Sequence, residues 1–147
     1  MLEKLRAKNF DILFLSHAEA ILGVDFPSAT SDLEQVLSSF SVPITELIAG
    51  GGGEGKGTQR LRHALADKGW SKTKFTIEKS INGVRRESQS HEVDHVLTTT
   101  NGFRVALEIE WNNKDPFFDR DLENFKRLHA DGAISVGVIV TRGRSLH

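Results

Sequence analysis

Residues 91–111, HEVDHVLTTTNGFRVALEIEW, contain two runs of alternating polar and apolar residues separated by Asn101-Gly102. Alternation with a period of two is typical of β-strands, and Asn-Gly between two such runs is a strong hairpin signal. Glu108 and Glu110 are two residues apart and therefore lie on the same face of the second strand. We expect the opposite face to be the buried one, since it carries only large apolar side chains: Phe103, Val105, Leu107, Ile109 and Trp111.

The geometry of the turn decides whether Asp94 joins these two acids. A two-residue turn would place Asp94 opposite Ile109, on the wrong face. A three-residue loop with Gly102 in the left-handed conformation makes a bulge and places Asp94 directly opposite Glu108. This second register also gives two apolar cross-strand pairs, Val93 with Ile109 and Leu97 with Val105. We therefore predict a positive φ at Gly102 and cross-strand proximity of Asp94 and Glu108.

Acids gathered on one strand face are unfavourable unless a positive charge compensates them, because they repel one another and lose hydration. A divalent cation supplies that charge, and hard oxygen ligands favour Mg²⁺ or Mn²⁺ over zinc. Spacing alone leaves an alternative open, in which the acids form a solvated face paired with Arg104 or Lys114. The sequence thus indicates a candidate metal site at Asp94, Glu108 and Glu110.

Downstream of the hairpin, a helical period over 116–130 is followed by an apolar run. Asp115-Pro116 is a typical helix start, with Asp as N-cap and Pro in the first turn. The predicted buried stripe of this helix is Phe118, Leu122, Phe125 and Leu128. Residues 134–141 are nearly all apolar, as in a buried strand. The strand at 103–111, this helix and the last strand predict a right-handed βαβ unit with two parallel strands.

Upstream of residue 91 the signals are weaker. Residues 75–88 predict another hairpin, turning near Asn82-Gly83. Residues 25–32 predict a loop. The predicted helices cover residues 16–22 with Ser16 as N-cap, residues 32–40 with Asp32 as N-cap, and residues 58–69 starting at Thr58. Residues 9–15 predict a short strand or a buried turn. Together the elements predict an α/β fold with a central mixed β-sheet flanked by helices.

Length and composition restrict the class of protein. The 147 residues predict a single domain spanning 1–147. A net charge of −1 at pH 7 argues against a protein that coats nucleic acid passively. Cysteine is absent, which excludes disulfides and thiolate metal sites, and no apolar run approaches a membrane span. We expect a soluble domain with a cytoplasmic location.

Two other motifs point to different classes of site and are disfavoured. Gly50 to Lys56 match the first part of a nucleotide-binding P-loop, but Gly57 stands where that motif needs Ser or Thr. A flexible glycine loop before a helix is the favoured interpretation. His91 and His95 share a predicted strand, but no second cluster completes a zinc ligand set.

HEVDHV (91–96) followed by ALEIEW (106–111) resembles the Asp…Glu-x-(Lys/Glu/Gln) core of the PD-(D/E)XK nucleases. Within that group the chain is most similar to the BglII and BamHI restriction endonucleases, through ALEIEWNN (106–113), SVGVIVTRG (135–143), SHAEAIL (16–22) and KGW (68–70). The resemblance implies a restriction-endonuclease-like core and a homodimer that cleaves double-stranded DNA with Mg²⁺, or with Mn²⁺ in its place. The family usually continues past the strand that 134–141 resembles, so the C-terminal part that helps recognise DNA is expected to be missing.

The resemblance also assigns roles to the three acids. By position, Asp94 and Glu108 would be metal ligands, and Glu110 would orient or deprotonate the attacking water. The family has a further active-site residue upstream of Asp94, for which Glu54 is the first candidate and Thr73 the second.

Residues predicted to contact DNA follow the last two strands. Asn112, Asn113 and Lys114 fall where the family approaches DNA, since Asn can read base edges and Lys can contact phosphates. Arg142 and Arg144, after the end of the last strand, are candidates for phosphate contacts. The alternative function is a catalytically inactive DNA-binding module of the same fold.

Overall fold

A computed structural model describes residues 1–41, 43, 55–110 and 116–143 of the chain. Its strands are β1 (Ser71–Ile81), β2 (Val84–Thr98), β3 (Arg104–Glu110) and β4 (Val136–Thr141). They form one sheet in the order β1-β2-β3-β4. The first three strands pair antiparallel and β3 pairs parallel with β4, so the sheet is mixed.

Helices cover both faces of this sheet. On one face lie α1 (Glu3–Arg6), α2 (Ala18–Asp25), α3 (Pro27–Ser39) and α4 (Lys56–Ala66), which share a core with Val105 and Leu107 of β3. On the other face lies α5 (Pro116–Ala130), where Phe125 and Leu128 pack with Ala106. The predicted α/β class, with a central mixed sheet flanked by helices, is confirmed. None of the helices in the described ranges is both long and apolar enough to cross a membrane.

The turn between β2 and β3 has the predicted bulged form. Gly102 has a φ of +82°, and the backbone N–H of Thr99 donates to the Phe103 carbonyl oxygen at 2.8 Å. The ladder continues from this pair to Leu97–Val105. The predicted register of the hairpin is therefore confirmed over this stretch.

A β-bulge interrupts β2 farther from the turn. The pairing of β1 with β2 steps from Ser71–Val96 to Thr73–Val93, so two β2 residues stand opposite one residue of β1. The bulge turns Val93 towards the core beneath α5, whereas Ile109 packs on the other face of the sheet. The predicted Val93–Ile109 pair is therefore wrong.

The upstream helices begin at other residues than predicted. The structure starts α3 at Pro27, within a predicted loop, because proline suits the first turn of a helix. Asp32, the predicted N-cap, lies inside α3 and accepts a hydrogen bond from Trp70 Nε1 at 3.0 Å. The residue preceding α2 is His17 rather than Ser16, and α4 begins at Lys56, two residues before its predicted start.

Of the two alternatives predicted for residues 9–15, the strand is wrong, and the predicted hairpin at residues 75–88 is present. Residues 9–15 form no strand. Leu13 and Leu15 are exposed, while Phe10, Ile12 and Phe14 pack against the core. The Asn82-Gly83 hairpin is confirmed, since both residues have positive φ (51° and 80°), as a type I′ turn requires.

The helix α5 lies close to the sheet because the residues beneath it are small. An ideal Cβ built on Gly137 of β4 would lie 2.5 Å from Phe125 Cδ2. Gly137 pairs with Ala106 of β3, which also presents little side chain to the helix. Phe125 can therefore reach into the sheet, and its side chain is buried.

The buried face of α5 differs from the predicted stripe. Asp121, Asn124, Phe125 and Leu128 are buried, whereas Leu122 is 40% exposed. The side chain of Phe118 lies outside the described residues. The prediction was wrong at Leu122 because it followed apolar residues alone, while two polar residues occupy the inward positions.

The close approach of α5 predicts that Gly137→Ala is destabilising. The added methyl group has to displace the Phe125 ring or the helix, which we expect to lower the free energy of unfolding by about 1–3 kcal/mol. Urea unfolding measures this change. Gly143→Ala is the matched control, because a Cβ at Gly143 would meet nothing within 4 Å. Equal stability of the Gly137→Ala variant and this control would contradict the packing described here.

Candidate active site

An open cleft of about 610 Å³ lies between β2, β3 and α5. Among the described residues that line it, five carry carboxylates and two carry guanidinium groups. The lining residues are His91, Glu92, Asp94, Glu108, Glu110, Arg120, Asp121, Asn124 and Arg127. The cleft is therefore strongly acidic, and it holds all three acids singled out in the sequence.

Two of these acids belong to β3 and are buried. Glu108 is 8% and Glu110 is 9% exposed, because α5 covers the strand face they share. The expectation that only the opposite face of β3 would be buried is therefore wrong. On that opposite face, Phe103 is 59% exposed, and Trp111 lies outside the described residues.

Asp94 reaches the cleft from the bulge in β2. Continuing the antiparallel ladder one step beyond His95–Leu107 puts Asp94 opposite Glu108. The backbone N–H of Asp94 donates to Glu108 Oε1 at 3.3 Å. The side chain of Asp94 is 59% exposed, so it faces the open side of the cleft. The cross-strand proximity that the turn predicts is confirmed.

Burial changes the protonation of the two β3 acids. Desolvation, together with the negative charge of Asp94, raises the pKa of Glu108 to about 7. Desolvation, followed by a hydrogen bond with Asp121, raises the pKa of Glu110 to about 8. Without a bound cation, both carboxyls therefore hold protons near neutral pH that exposed glutamates would release.

Asp121 of α5, which is 4% exposed and lies beside Glu110, was not predicted from the sequence. Its Oδ1 accepts a hydrogen bond from Arg120 Nε at 3.2 Å. A signal was available, because Asp121, Asn124 and Phe125 have the i, i+3, i+4 spacing of one helix face. This spacing alone, without the requirement that buried side chains be apolar, predicts that Asp121 faces the sheet.

Lys72 and Arg127 are two basic side chains at the border of the cleft. Lys72, opposite the bulge, lies 2.7 Å from Glu92 Oε1 and 3.5 Å from Asp94 Oδ1. Its hydrogen bond with Glu92 raises the pKa of Lys72. Arg127 donates to Asn124 Oδ1 at 2.7 Å and to Gln89 Oε1 at 3.1 Å. These contacts hold both cations at the border of the cleft.

The alternative of a solvated acid face paired with Arg104 is wrong. Glu108 and Glu110 are buried, and the Arg104 guanidinium lies 5.9 Å from the centre of the Phe75 ring. It also donates to the Ala133 carbonyl oxygen at 3.4 Å. The other proposed partner, Lys114, lies outside the described residues.

The carboxylates suit a divalent cation in donor type. Within the described ranges, no three His, Cys, Asp or Glu side chains are close enough together to form a ready-made metal site. Two buried carboxylate oxygens, Glu110 Oε2 and Asp121 Oδ2, have no hydrogen-bond partner unless one of the two carboxyls keeps a proton and donates it to the other. Mg²⁺ commonly uses only one or two protein carboxylates and completes its shell with water and phosphate oxygens. The residues present therefore fit such an ion.

Several other predicted site residues cannot be located in the cleft. Glu54, Asn112, Asn113, Lys114 and Arg144 lie outside the described residues, as do glycines 50–53 of the disfavoured P-loop. Arg142 directly follows β4. Thr73, the second candidate for the upstream residue, donates its hydroxyl to the Ser71 carbonyl oxygen at 3.3 Å and does not line the cleft.

The two histidines considered for zinc lie on different faces. His91 lines the acidic cleft, whereas His95 pairs with Leu107, whose side chain belongs to the core beneath α1 to α4. Burial lowers the pKa of both imidazoles. The bulge between them is the reason that they do not converge on one site.

The raised pKa of Glu108 predicts a pH-dependent stability. In the metal-free protein, Glu108 is uncharged below its unfolded pKa of 4.5, so its ionisation does not lower the free energy of unfolding there. Above its folded pKa of about 7 the carboxylate is charged and buried, and the loss of stability is largest. Glu108→Gln removes this charge, so its stability relative to wild type should rise by roughly 1–3 kcal/mol across that interval. Urea unfolding in a chelator at a series of pH values measures the difference.

His91 and His95, whose pKa values are lowered by burial, make the opposite contribution to the pH dependence of stability. Because this contribution is common to wild type and Glu108→Gln, it cancels when the two proteins are compared. Glu123→Gln, on the exposed side of α5, is the control and should show no such trend. A difference between Glu108→Gln and wild type that stays constant with pH would contradict the burial of an ionisable Glu108.

Known proteins place the chain in a family. No curated protein and no solved structure matches the chain. The family model described as "Restriction endonuclease BglII/BglIII" matches residues 10–147, which include every residue of the acidic cleft. The chain therefore belongs to the BglII restriction endonuclease family.

Proposed function

We propose that this protein is an Mg²⁺-dependent endonuclease that hydrolyses phosphodiester bonds of double-stranded DNA, as a type II restriction enzyme does. The observation that carries the proposal is the pairing of Asp94 with Glu108 across β2 and β3, with Glu110 next along the same buried face. An acid set of this kind, in a cleft open to solvent, serves phosphate chemistry better than it serves stability.

Asp94 and Glu108 would hold the cation. Their side chains lie on neighbouring strands, and the Glu108 carboxylate accepts a hydrogen bond from the backbone N–H of Asp94 at 3.3 Å. When bound, Mg²⁺ supplies positive charge for the scissile phosphate and lowers the pKa of a bound water. It would also compensate the mutual repulsion of the two acids, which Lys72 offsets only at the exposed Asp94.

Glu110 is the proposed base or water-orienting group. A carboxylate can accept a proton from an attacking water. Glu110 follows Glu108 on the same face of β3 and lines the same cleft as Asp94. Its pKa, raised to about 8 by burial and by Asp121, is near the range in which a general base is effective. A cation bound nearby favours the deprotonated form that the base needs.

DNA has to approach the open side of the cleft, where Asp94 is exposed. Five carboxylates in the lining repel the phosphate backbone, so a cation is needed for binding as well as for cleavage. Arg120 and Arg127 border the cleft and are proposed phosphate contacts. Contacts through Asn112, Asn113, Lys114, Arg142 and Arg144, a homodimer that cuts both strands, and a cytoplasmic location are parts of the same proposal.

The proposal predicts Mg²⁺-dependent nicking or linearisation of plasmid DNA by the wild-type protein, and none in EDTA. Asp94→Asn and Glu108→Gln should each lower the rate by about 100-fold or more, because each removes a charge that acts on the reacting phosphate. Glu123→Gln, an exposed substitution on α5, is the control and should cleave at the wild-type rate. Gel electrophoresis of supercoiled plasmid measures the rates.

Two results would contradict this function. If the folded protein binds duplex DNA but cleaves no plasmid with Mg²⁺ or Mn²⁺, it is the catalytically inactive DNA-binding module. If the Asp94→Asn and Glu108→Gln variants cleave at the wild-type rate, hydrolysis takes place at another site.

A further inference from the structure

Beyond the sheet, β1 and β2 continue together as a two-stranded arm, residues 76–90. In the described part of the chain, β3 pairs with residues 95–98 of β2, whereas the pairing of β1 with β2 continues to Ile81–Val84. Every residue from 78 to 90 is exposed. A two-stranded hairpin gains little stability by itself in water. The arm therefore adds little to the core, and its surface is accessible to a partner.

The arm begins at the acidic cleft and has a fixed base. Ser90, at one end, directly precedes His91, which lines the cleft. Phe75, next to the other end, is buried beneath α5, and Gln89 accepts a hydrogen bond from Arg127 of α5 at 3.1 Å. Strands rise about 3.3 Å per residue, so the tip of the arm is roughly 20 Å from His91. This distance corresponds to about six base pairs of a duplex.

The composition of the arm differs from that of the cleft. Among residues 76–90, three are basic, two are acidic and six have hydroxyl or amide side chains. The described lining of the cleft carries five carboxylates and two guanidinium groups. A ribbon with excess positive charge and many hydrogen-bonding groups suits a nucleic acid, and a two-stranded ribbon fits the major groove of DNA.

A bulge near the tip makes Arg86 available to a partner. The pairing steps from Lys79–Glu87 to Ser80–Arg85, so Arg86 has no partner in the ladder. Arg85 pairs with Glu78 at 2.7 Å, whereas the exposed Arg86 guanidinium has no salt bridge within the described ranges. A bulge redirects a side chain and increases the twist of a ribbon. A guanidinium placed in this way can bind a phosphate with two hydrogen bonds.

The tip of the arm carries two exposed apolar side chains. Ile81 and Val84 pair across the turn and are 60% and 54% exposed. In the major groove, apolar side chains of this kind can contact the methyl groups of thymine. An interface between two copies of the chain would require a larger apolar surface, but the residues next to this pair, 78–80 and 85–88, are all polar or charged. The surroundings of the tip therefore favour DNA over a second copy.

We propose that the arm binds the major groove of duplex DNA beside the cleft, with Arg86 at a phosphate and Ile81 and Val84 against thymine methyl groups. The inference rests on the proposed function and extends it to a surface outside the cleft. Attraction of the arm for phosphates would offset part of the repulsion between DNA and the carboxylates of the cleft.

The contact of Arg86 is tested by fluorescence anisotropy of a labelled, A·T-rich duplex of about 30 base pairs at a series of salt concentrations. Ca²⁺ replaces Mg²⁺ as the oxygen-binding cation, and gel electrophoresis checks that the duplex stays intact. Arg86→Ala should raise the Kd about 3- to 10-fold and reduce the slope of log Kd against log salt by about one. Arg86→Lys should restore most of the binding. Arg6→Ala, at an exposed arginine of α1, is the matched control and should bind as wild type does.

The contact of the tip is tested with the same duplex in which uracil replaces thymine, because uracil lacks the methyl group. Wild type should bind the uracil duplex more weakly than the thymine duplex. The double variant Ile81→Ser/Val84→Ser should bind the thymine duplex more weakly than wild type, with an unchanged salt slope, and should not distinguish the two duplexes. Leu13→Ser is the control, because Leu13 is 82% exposed and lies outside the arm. Urea unfolding should give wild-type stability for all these surface variants.

The outcomes separate the arm from the catalytic site. If Arg86→Ala and the tip variant bind DNA as tightly as wild type, or if wild type binds no duplex, the inference is wrong, and cleavage of plasmid decides the proposed function independently. Equal binding of the thymine and uracil duplexes by wild type would overturn the major-groove contact. If the tip variant converts a dimer into a monomer in analytical ultracentrifugation, the arm joins two copies of the chain, which also overturns the inference.

Discussion

The close packing of α5 against the sheet is the constraint on which the site depends. Phe125 occupies the space that a Cβ at Gly137 would need, since such a Cβ would lie 2.5 Å from the Phe125 ring. Ala106, which pairs with Gly137 beneath the helix, also has a small side chain. Because a helix is rigid over one turn, fixing Phe125 also fixes Asp121. The same helix covers Glu108 and Glu110. Two small residues in the sheet thereby determine that the carboxylates are buried and gathered.

This arrangement is electrostatically unfavourable for the polypeptide alone. Five carboxylates line the cleft with two guanidinium groups, and burial raises the pKa of Glu108 to about 7 and of Glu110 to about 8. A buried acid set that destabilises the metal-free protein is expected where binding and chemistry, rather than folding, determine the residues. A bound cation would relieve the repulsion between these carboxylates, so the same cluster that destabilises the metal-free protein favours binding of the cation in the proposed function.

The sequence was most informative where structure is local. The turn at Gly102 and the alternation of the two strands were enough to predict that Asp94 faces Glu108, since register depends on turn type and pleat. The bulge at Asp94 and His95 was not predictable from this hairpin alone, because it lies in the pairing of β2 with β1. Asp121 was missed because the buried face of α5 was assumed to be apolar, an assumption that fails where a helix faces a site. Family membership added what geometry could not, which is the class of reaction.

The claim that Asp94 and Glu108 hold a divalent cation is tested most directly by a crystal structure of the protein grown with Mn²⁺, using the anomalous scattering of manganese. We predict an anomalous peak between the two carboxylates, with Asp94 and Glu108 oxygens about 2.2 Å from it. A well-ordered cleft without such a peak at saturating Mn²⁺, or a peak coordinated by neither residue, would contradict the account.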